Sequence, residues 1–140
     1  MRATDTNTFS TSSLSPTDVT GVSVTITPTS ATSSILLMLT GRAHVQNVTN
    51  NDLRGWFYIT DSSNNAISGA EASTIGVLNL TGTGTKRARQ AGALAVAWAT
   101  PATTSAITYK ARASVIDASA VIYLDGSGQT TQMFAVEVSA

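Results

Sequence analysis

Few residues in this sequence have types and spacings that could support catalysis. The single histidine, His44, has no carboxylate or second histidine at metal-ligand spacing and no partnered nucleophile. The eight Asp and Glu residues form no D-x-D pair and fall mostly in predicted turns, where Asp caps the backbone. Cysteine is absent, which excludes disulfides and thiolate metal sites. We predict no enzyme activity, metal or cofactor, with a carboxylate pair meeting in space as the remaining enzymatic alternative.

The only basic cluster, Lys86-Arg-Ala-Arg89, follows the glycine segment Thr81–Thr85. That segment lacks the spacing of a phosphate-binding loop and precedes no predicted helix, so we interpret it as a hairpin loop. Lys86, Arg87 and Arg89 could meet an acidic partner or nucleic acid, form a salt bridge between subunits, or be a solvated loop edge. Eight basic residues balance eight acidic ones, which argues against nucleic acid as the partner of the whole chain.

Six aromatic residues of predicted strands could line a carbohydrate site, although packing in cores and interfaces is the more frequent role of such residues. They are Trp56, Phe57, Tyr58, Trp98, Tyr109 and Tyr123. His44 is interpreted as a structural or surface residue.

The elements that must position these side chains are β-strands. Apolar and polar residues alternate with period two, as in Val22–Ile26, and β-branched residues are abundant. Along Ile107–Val115 the odd-numbered residues are expected to face inward, with Lys110 and Arg112 outward. Turn-forming clusters separate eight or nine such segments. This predicts an all-β fold, an antiparallel β-sandwich or jelly roll that spans residues 1–140 as a single domain.

Two segments depart from simple alternation. Ile35–Leu39 is apolar at every position, which suits a central strand covered on both sides or one with an outer face on a neighbouring subunit. Gln90–Thr100 alternates alanine with large residues, and a strand is preferred over a helix because the large residues recur at every second position. The outer face of Ile35–Leu39 and the alanine face of Ala91–Ala99 are the expected sites of packing between subunits.

The surface is unusually poor in charge, since only 11% of the residues are charged. This indicates either a surface covered by partners or an ordinary Ser/Thr-rich one. The longest apolar run, Ile35–Leu39, is far too short to span a membrane, so no membrane association is predicted.

Four segments resemble β-sandwich domains of bacteriophage virion proteins, of the capsid cement (decoration) and tail-fibre type. They are Thr4–Ser12, Val19–Leu39, Arg54–Phe57 and Pro101–Lys110. The resemblance covers nearly the whole chain and is more specific for the fold than for the role.

The resemblance implies a virion protein. Fibre domains usually follow a shaft, whereas this domain begins at Met1, so the expectation is a trimeric cement protein on the capsid surface. It would bind the major capsid protein and stabilise contacts between capsid subunits, without nucleic acid. The alternative is a receptor-binding tail-fibre or tail module that contacts host glycans through loops 46–53, 60–66 and 125–131.

Interface residues are predicted on this basis. Residues 1–14 are expected to be an extended N-terminal arm that contacts the coat protein or a neighbouring trimer. The predicted interface residues are Phe9, Leu14, Leu36, Met38, Lys86, Arg87 and Arg89.

Overall fold

The structure, a computed structural model, describes residues 1–47, 53–70, 73–77, 84–125 and 129–139. Across these ranges the regular secondary structure is entirely β-strand, and no helix is present that could span a membrane. The two antiparallel sheets confirm the predicted all-β sandwich. The described strands are β1 (Arg2–Asp5), β2 (Phe9–Thr11), β3 (Thr17–Ile26), β4 (Ser34–Asn47), β5 (Leu53–Asp61), β6 (Ser73–Val77), β7 (Lys86–Ala99), β8 (Ile107–Val115), β9 (Ala120–Leu124) and β10 (Thr131–Val138).

The large sheet is organised around β4, which is fourteen residues long. One edge of β4 pairs with β7 over its whole length, from Ile35 opposite Ala99 to Asn47 opposite Lys86. The other edge pairs first with β10 and then with β9. Beyond these, β1 pairs with β10 and β2 pairs with β9. Side chains from five other strands are thus arranged around a single central strand.

The small sheet has the strand order β3-β8-β5-β6, and its inner face packs on that of the large sheet. Alternate residues of β3 and β8 are buried in this layer, as the sequence predicts, while Lys110 and Arg112 lie on the other face. The largest buried side chains include Phe57, Tyr109 and Leu37. Burial of each such side chain contributes about 1.5–3 kcal/mol, which makes this layer the main source of stability.

A β-bulge divides the pairing of β4 with β7. The register shifts between Leu39 and Thr40, and Gly41 then lies opposite Gly92. Gly92 has a φ of 104°, a conformation that residues with a Cβ atom rarely adopt. The extra residue in β7 is Leu94, which is buried. Near this position the partner on the other edge of β4 changes from β10 to β9. The bulge allows β4 and β7 to remain paired on both sides of it.

Three of the alternating alanines of β7 lie on the opposite side from the predicted one. The odd-numbered residues of Ala95–Ala99 are buried in the core, whereas Val96 and Trp98 point outward and are 45% and 47% exposed. Pairing with Ile35–Leu39 explains this, because the large inner residues of β4 occupy the inner layer and leave little volume beside them. The predicted packing of subunits through the alanine face of Ala91–Ala99 was therefore wrong for Ala95, Ala97 and Ala99, whereas Ala91 and Ala93, on the other side of the bulge, are exposed.

In the isolated chain, two short segments of residues 1–14, the predicted arm, pair with the large sheet. The Met1 amino group donates to the Ala135 carbonyl at 2.6 Å, and β1 continues this contact as a strand along β10. Phe9 in β2 lies opposite Leu124 and packs, partly buried, against the core. Pairing with the sheet satisfies the backbone groups of this segment and covers two edges of the large sheet.

The segment between β6 and β7 falls largely outside the described residues, since residues 78–83 are not described. The predicted hairpin loop at Thr81–Thr85 is described only from residue 84 onward.

Candidate functional site

The outer face of the large sheet carries an apolar surface in its first half. In the antiparallel ladder, Met38 of β4 lies opposite both Phe134 of β10 and Val96 of β7. Leu36 lies in the next row, which also holds Val136 and Trp98, and Val138 extends the surface along β10. Residues opposite one another in such a ladder share a face and lie about 5 Å apart, so these side chains are contiguous. We call this surface the apolar half; its members are Leu36, Met38, Val96, Trp98, Phe134, Val136 and Val138.

Much of the apolar half faces solvent in the isolated chain. Val96, Trp98, Val136 and Val138 are between 38% and 49% exposed. They account for four of the six exposed large apolar residues among the described side chains, and the other two are at Met1 and Leu14. Scattered exposed apolar residues are normal, but a contiguous group bordered by polar residues marks an interaction surface.

Beyond Gly41 the same face becomes polar. We call this part the arginine half, and it consists of Arg42, His44, Gln46, Arg87, Arg89, Tyr123 and Asp125. The pairing places Arg89 opposite His44, and Arg87 opposite Gln46, on one edge of β4. Tyr123 of β9 lies opposite His44 on the other edge. The two halves therefore form one continuous surface with β4 as its axis.

Hydrogen bonds hold part of the arginine half in place. Arg87 Nε donates to Gln46 Oε1 at 3.2 Å, and Gln46 Nε2 donates to the Tyr123 hydroxyl at 2.9 Å. The Tyr123 ring stacks on His44 with centroids 4.4 Å apart and an angle of 14° between the planes. This series of contacts fixes side chains from three strands in one layer.

His44 has a carboxylate neighbour that sequence spacing did not indicate. Its Nδ1 lies 3.1 Å from the Asp125 carboxylate, which also accepts a hydrogen bond of 3.0 Å from Arg42 Nε. Asp125 and His44 are 81 positions apart and meet only because β9 pairs with β4. Asp125 thus links Arg42 and His44 through its carboxylate, and the described residues contain no group of three or more potential metal ligands.

Positive charge is concentrated on this outer face. Arg2 lies at the border of the apolar half, opposite Phe134, and Arg42, Arg87 and Arg89 lie in the arginine half. The only carboxylate that the described residues place on the face is that of Asp125, which contacts Arg42. Arg89 has no hydrogen-bond or ion-pair partner within the described ranges. A chain with zero formal net charge thus has one distinctly cationic surface.

A cleft beside Trp98 is a second feature of interest. It has a volume of about 370 Å³ and is lined by the turn after β5, the end of β7 and the start of β8. The Asp61 carboxylate in this turn accepts hydrogen bonds from Ser63 and Asn65, and the Asn65 side chain holds the pKa of Asp61 below its usual value. Burial raises the pKa of Tyr109, which also lines the cleft. An exposed tryptophan beside polar groups is an arrangement that suits a sugar ring.

The structure brings together four of the seven predicted interface residues. Leu36 and Met38 lie in the apolar half, and Arg87 and Arg89 lie in the arginine half of the same face. The other three lie elsewhere. Lys86 is opposite Asn47 at the start of β7, out of phase with the two arginines; Phe9 packs against the core; and Leu14 is exposed between β2 and β3.

Sequence reasoning missed most of the remaining members of the face. Val96 and Trp98 were assigned to the face opposite the alanines, but alternation alone does not say which face of a strand is buried. In β10 the charge pattern points to the wrong face, because Glu137 lies on the same face as the buried Met133 and Ala135 near the strand end, where it accepts hydrogen bonds from Thr29. The glycan-binding loops predicted at 46–53 and 125–131 lie partly outside the described residues.

Comparisons with known proteins add little. No protein-family model and no curated protein matches the chain. Two structures of infectious bursal disease virus are similar, from the Gx strain (14% identity, TM-score 0.29) and the Gt strain (13% identity, TM-score 0.29). The alignments cover 100% and 98% of this chain but only 36% and 38% of those chains, so this chain spans a minor part of their length. At this TM-score the likeness carries no argument about function.

Proposed function

We propose that this chain is a structural protein of a virus particle, a capsid cement (decoration) protein that acts as a trimer. In this proposal it binds the capsid exterior and stabilises contacts between major capsid protein subunits. The observation that carries the proposal is the exposed apolar half of the large sheet, because such a surface is stable in water when another protein covers it. The sequence resemblance to phage virion domains supports the same role.

The size of the outer face supports a role in assembly. β4 is fourteen residues long, so three strands along it cover roughly 700 Å² at about 3.4 Å per residue and 4.8 Å between strands. A standard interface buries about 800 Å² per partner. The surface named the apolar half provides less than half of this area. We therefore expect weak self-association in solution and a firm trimer where the particle concentrates the subunits.

Symmetry limits how copies can meet through this face. Two copies could stack through this face, or three copies could turn it toward a common axis. In either case, contact through the whole face would place the arginines of one copy against arginines or apolar side chains of another. Contact limited to the apolar halves avoids this. In the proposed trimer the apolar half therefore packs against other copies and the arginine half remains available.

The two tryptophans on opposite outer faces provide a matched test of self-association. Trp98→Thr changes the large sheet, and Trp56→Thr changes the outer face of the small sheet. Light scattering across a concentration series should show the trimer weakened by Trp98→Thr and retained in Trp56→Thr. A chain that stays monomeric at every concentration, both in solution and on particles, would overturn the trimer.

Copy number on purified particles tests the role itself. A cement protein should be present in a number of the same order as the coat protein, measured by gel densitometry. A copy number far below that of the coat protein would instead favour a tail or fibre component.

The cleft beside Trp98 favours a second candidate function, that of a receptor-binding module for host glycans. The aromatic face of Trp98 and the adjacent polar turn support it. A glycan array probed with the full chain tests this candidate. Binding that Trp98→Thr abolishes would support it, and the absence of binding to any glycan would count against it.

A further inference from the structure

We propose that the arginine half is a docking surface for an acidic segment of a partner protein, with Arg87, Arg89 and Arg42 contacting its carboxylates. This inference rests on the proposed function only for the identity of the partner, which would be a coat protein. The docking surface itself is argued from the charges and contacts of this face.

First, positive charge is not balanced within the arginine half. On the small sheet, by contrast, Lys110 and Arg112 both bind Asp18, at 2.8 and 2.7 Å. In the arginine half, Asp125 contacts Arg42 and His44, which leaves Arg87 and Arg89 without a carboxylate among the described residues. A cluster of cations attracts an acidic partner and disfavours binding of partners that carry the same charge.

The second argument is preorganisation. Arg87 is held by Gln46, which is held in turn by Tyr123. Arg42 is held by Asp125, next to the stacked pair of His44 and Tyr123. Arginines positioned in this way lose less side-chain entropy on binding, and a guanidinium can pair with a carboxylate through two parallel hydrogen bonds.

The third argument concerns the class of partner. The carboxylate of Asp125 lies among the cations of the arginine half, next to Arg42 and His44. Separate acidic side chains of a protein can pair with Arg87 and Arg89 and remain clear of this carboxylate, whereas the regularly spaced phosphates of a nucleic acid would be repelled by it. With only three arginines in this half, nucleic acid would also gain little from the release of counterions.

The test uses the full chain and a poly-glutamate peptide as the probe, with binding followed by fluorescence anisotropy. The wild-type protein should bind the peptide, and added salt should weaken binding because the contacts are charged. The double variant R87Q/R89Q should bind about tenfold more weakly, since two exposed ion pairs are removed. The matched variant R87K/R89K keeps the charge without the guanidinium and should fall between the two.

Two results would overturn the docking surface. One is unchanged peptide binding by R87Q/R89Q, and the other is tighter binding of duplex DNA or heparin than of the acidic peptide. Light scattering on the same samples separates this inference from the proposed function. R87Q/R89Q should keep its self-association, whereas a monomeric wild-type protein that still binds the peptide would retain this inference and weaken the trimer proposal.

Discussion

The outer faces of the two sheets differ in how far their side chains find partners within the chain. On the small sheet, Asp18 neutralises Lys110 and Arg112, and Thr25 and Thr108 bond each other across strands at 2.7 Å. The outer face of the large sheet has exposed apolar residues, and among the described residues its arginines outnumber its one carboxylate. The charges of Asp18, Lys110 and Arg112 are thus paired within the chain, whereas the apolar half of the large sheet stays exposed in the isolated chain.

The largest expected difference in stability is between alanine substitutions of two adjacent leucines of β4. Leu37 is fully buried, and Leu37→Ala should lower the free energy of unfolding by about 2–5 kcal/mol, because it leaves a cavity in the core. Leu36 faces outward in the apolar half, so Leu36→Ala should cost no more than about 1 kcal/mol in the monomer. Urea unfolding at low protein concentration measures both. Equal losses would show that the outer face is packed within a single chain.

A smaller difference is expected in β7. Ala97→Leu adds volume to the filled inner layer and should cost about 1–3 kcal/mol. Val96→Leu adds volume to the outer face and should change stability by less than about 0.5 kcal/mol. Thermal unfolding compares the two variants. Tolerance of leucine at position 97 together with intolerance at 96 would reverse the assignment of faces.

The smallest effect concerns the ion pairs of the small sheet. Hydrogen bonds from Lys110, and secondarily from Arg112, hold the pKa of Asp18 below its ordinary value, against an opposing effect of partial burial. A carboxyl whose pKa is lower in the folded state stabilises the fold above its unfolded pKa, and this contribution is lost as pH falls through the folded value.

Stability should therefore fall in acid, below about pH 4, by less than about 1 kcal/mol, because Asp18 is half exposed. Asp18→Asn should remove this part of the acid dependence, and Lys110→Met should reduce it. Urea unfolding at a series of pH values measures the effect. An identical acid dependence in wild type and Asp18→Asn would contradict the account of the small sheet.

Much of the strand architecture could be predicted from the sequence, because alternation reports backbone extension directly. The inward residues of Val22–Ile26 and the outward Lys110 and Arg112 agree with the structure. The sequence does not indicate how the N-terminal segment packs, because β1 and β2 are only four and three residues long. Their pairing with β10 and β9 is non-local, so no local pattern reports it.

The sequence by itself determined that this chain forms strands, that Ile35–Leu39 has two apolar faces, and that the charged residues are few. Alternation with period two assigns the residues of a strand to two faces, but it does not show which of the two faces is buried. Only the tertiary structure decided that Ala95, Ala97 and Ala99 pack inward and that Trp98 faces outward. The pairing of β4 with β7 and β9 also decided that Arg87, Arg89, His44 and Asp125 share one surface, because contacts across such separations depend on register rather than on local pattern.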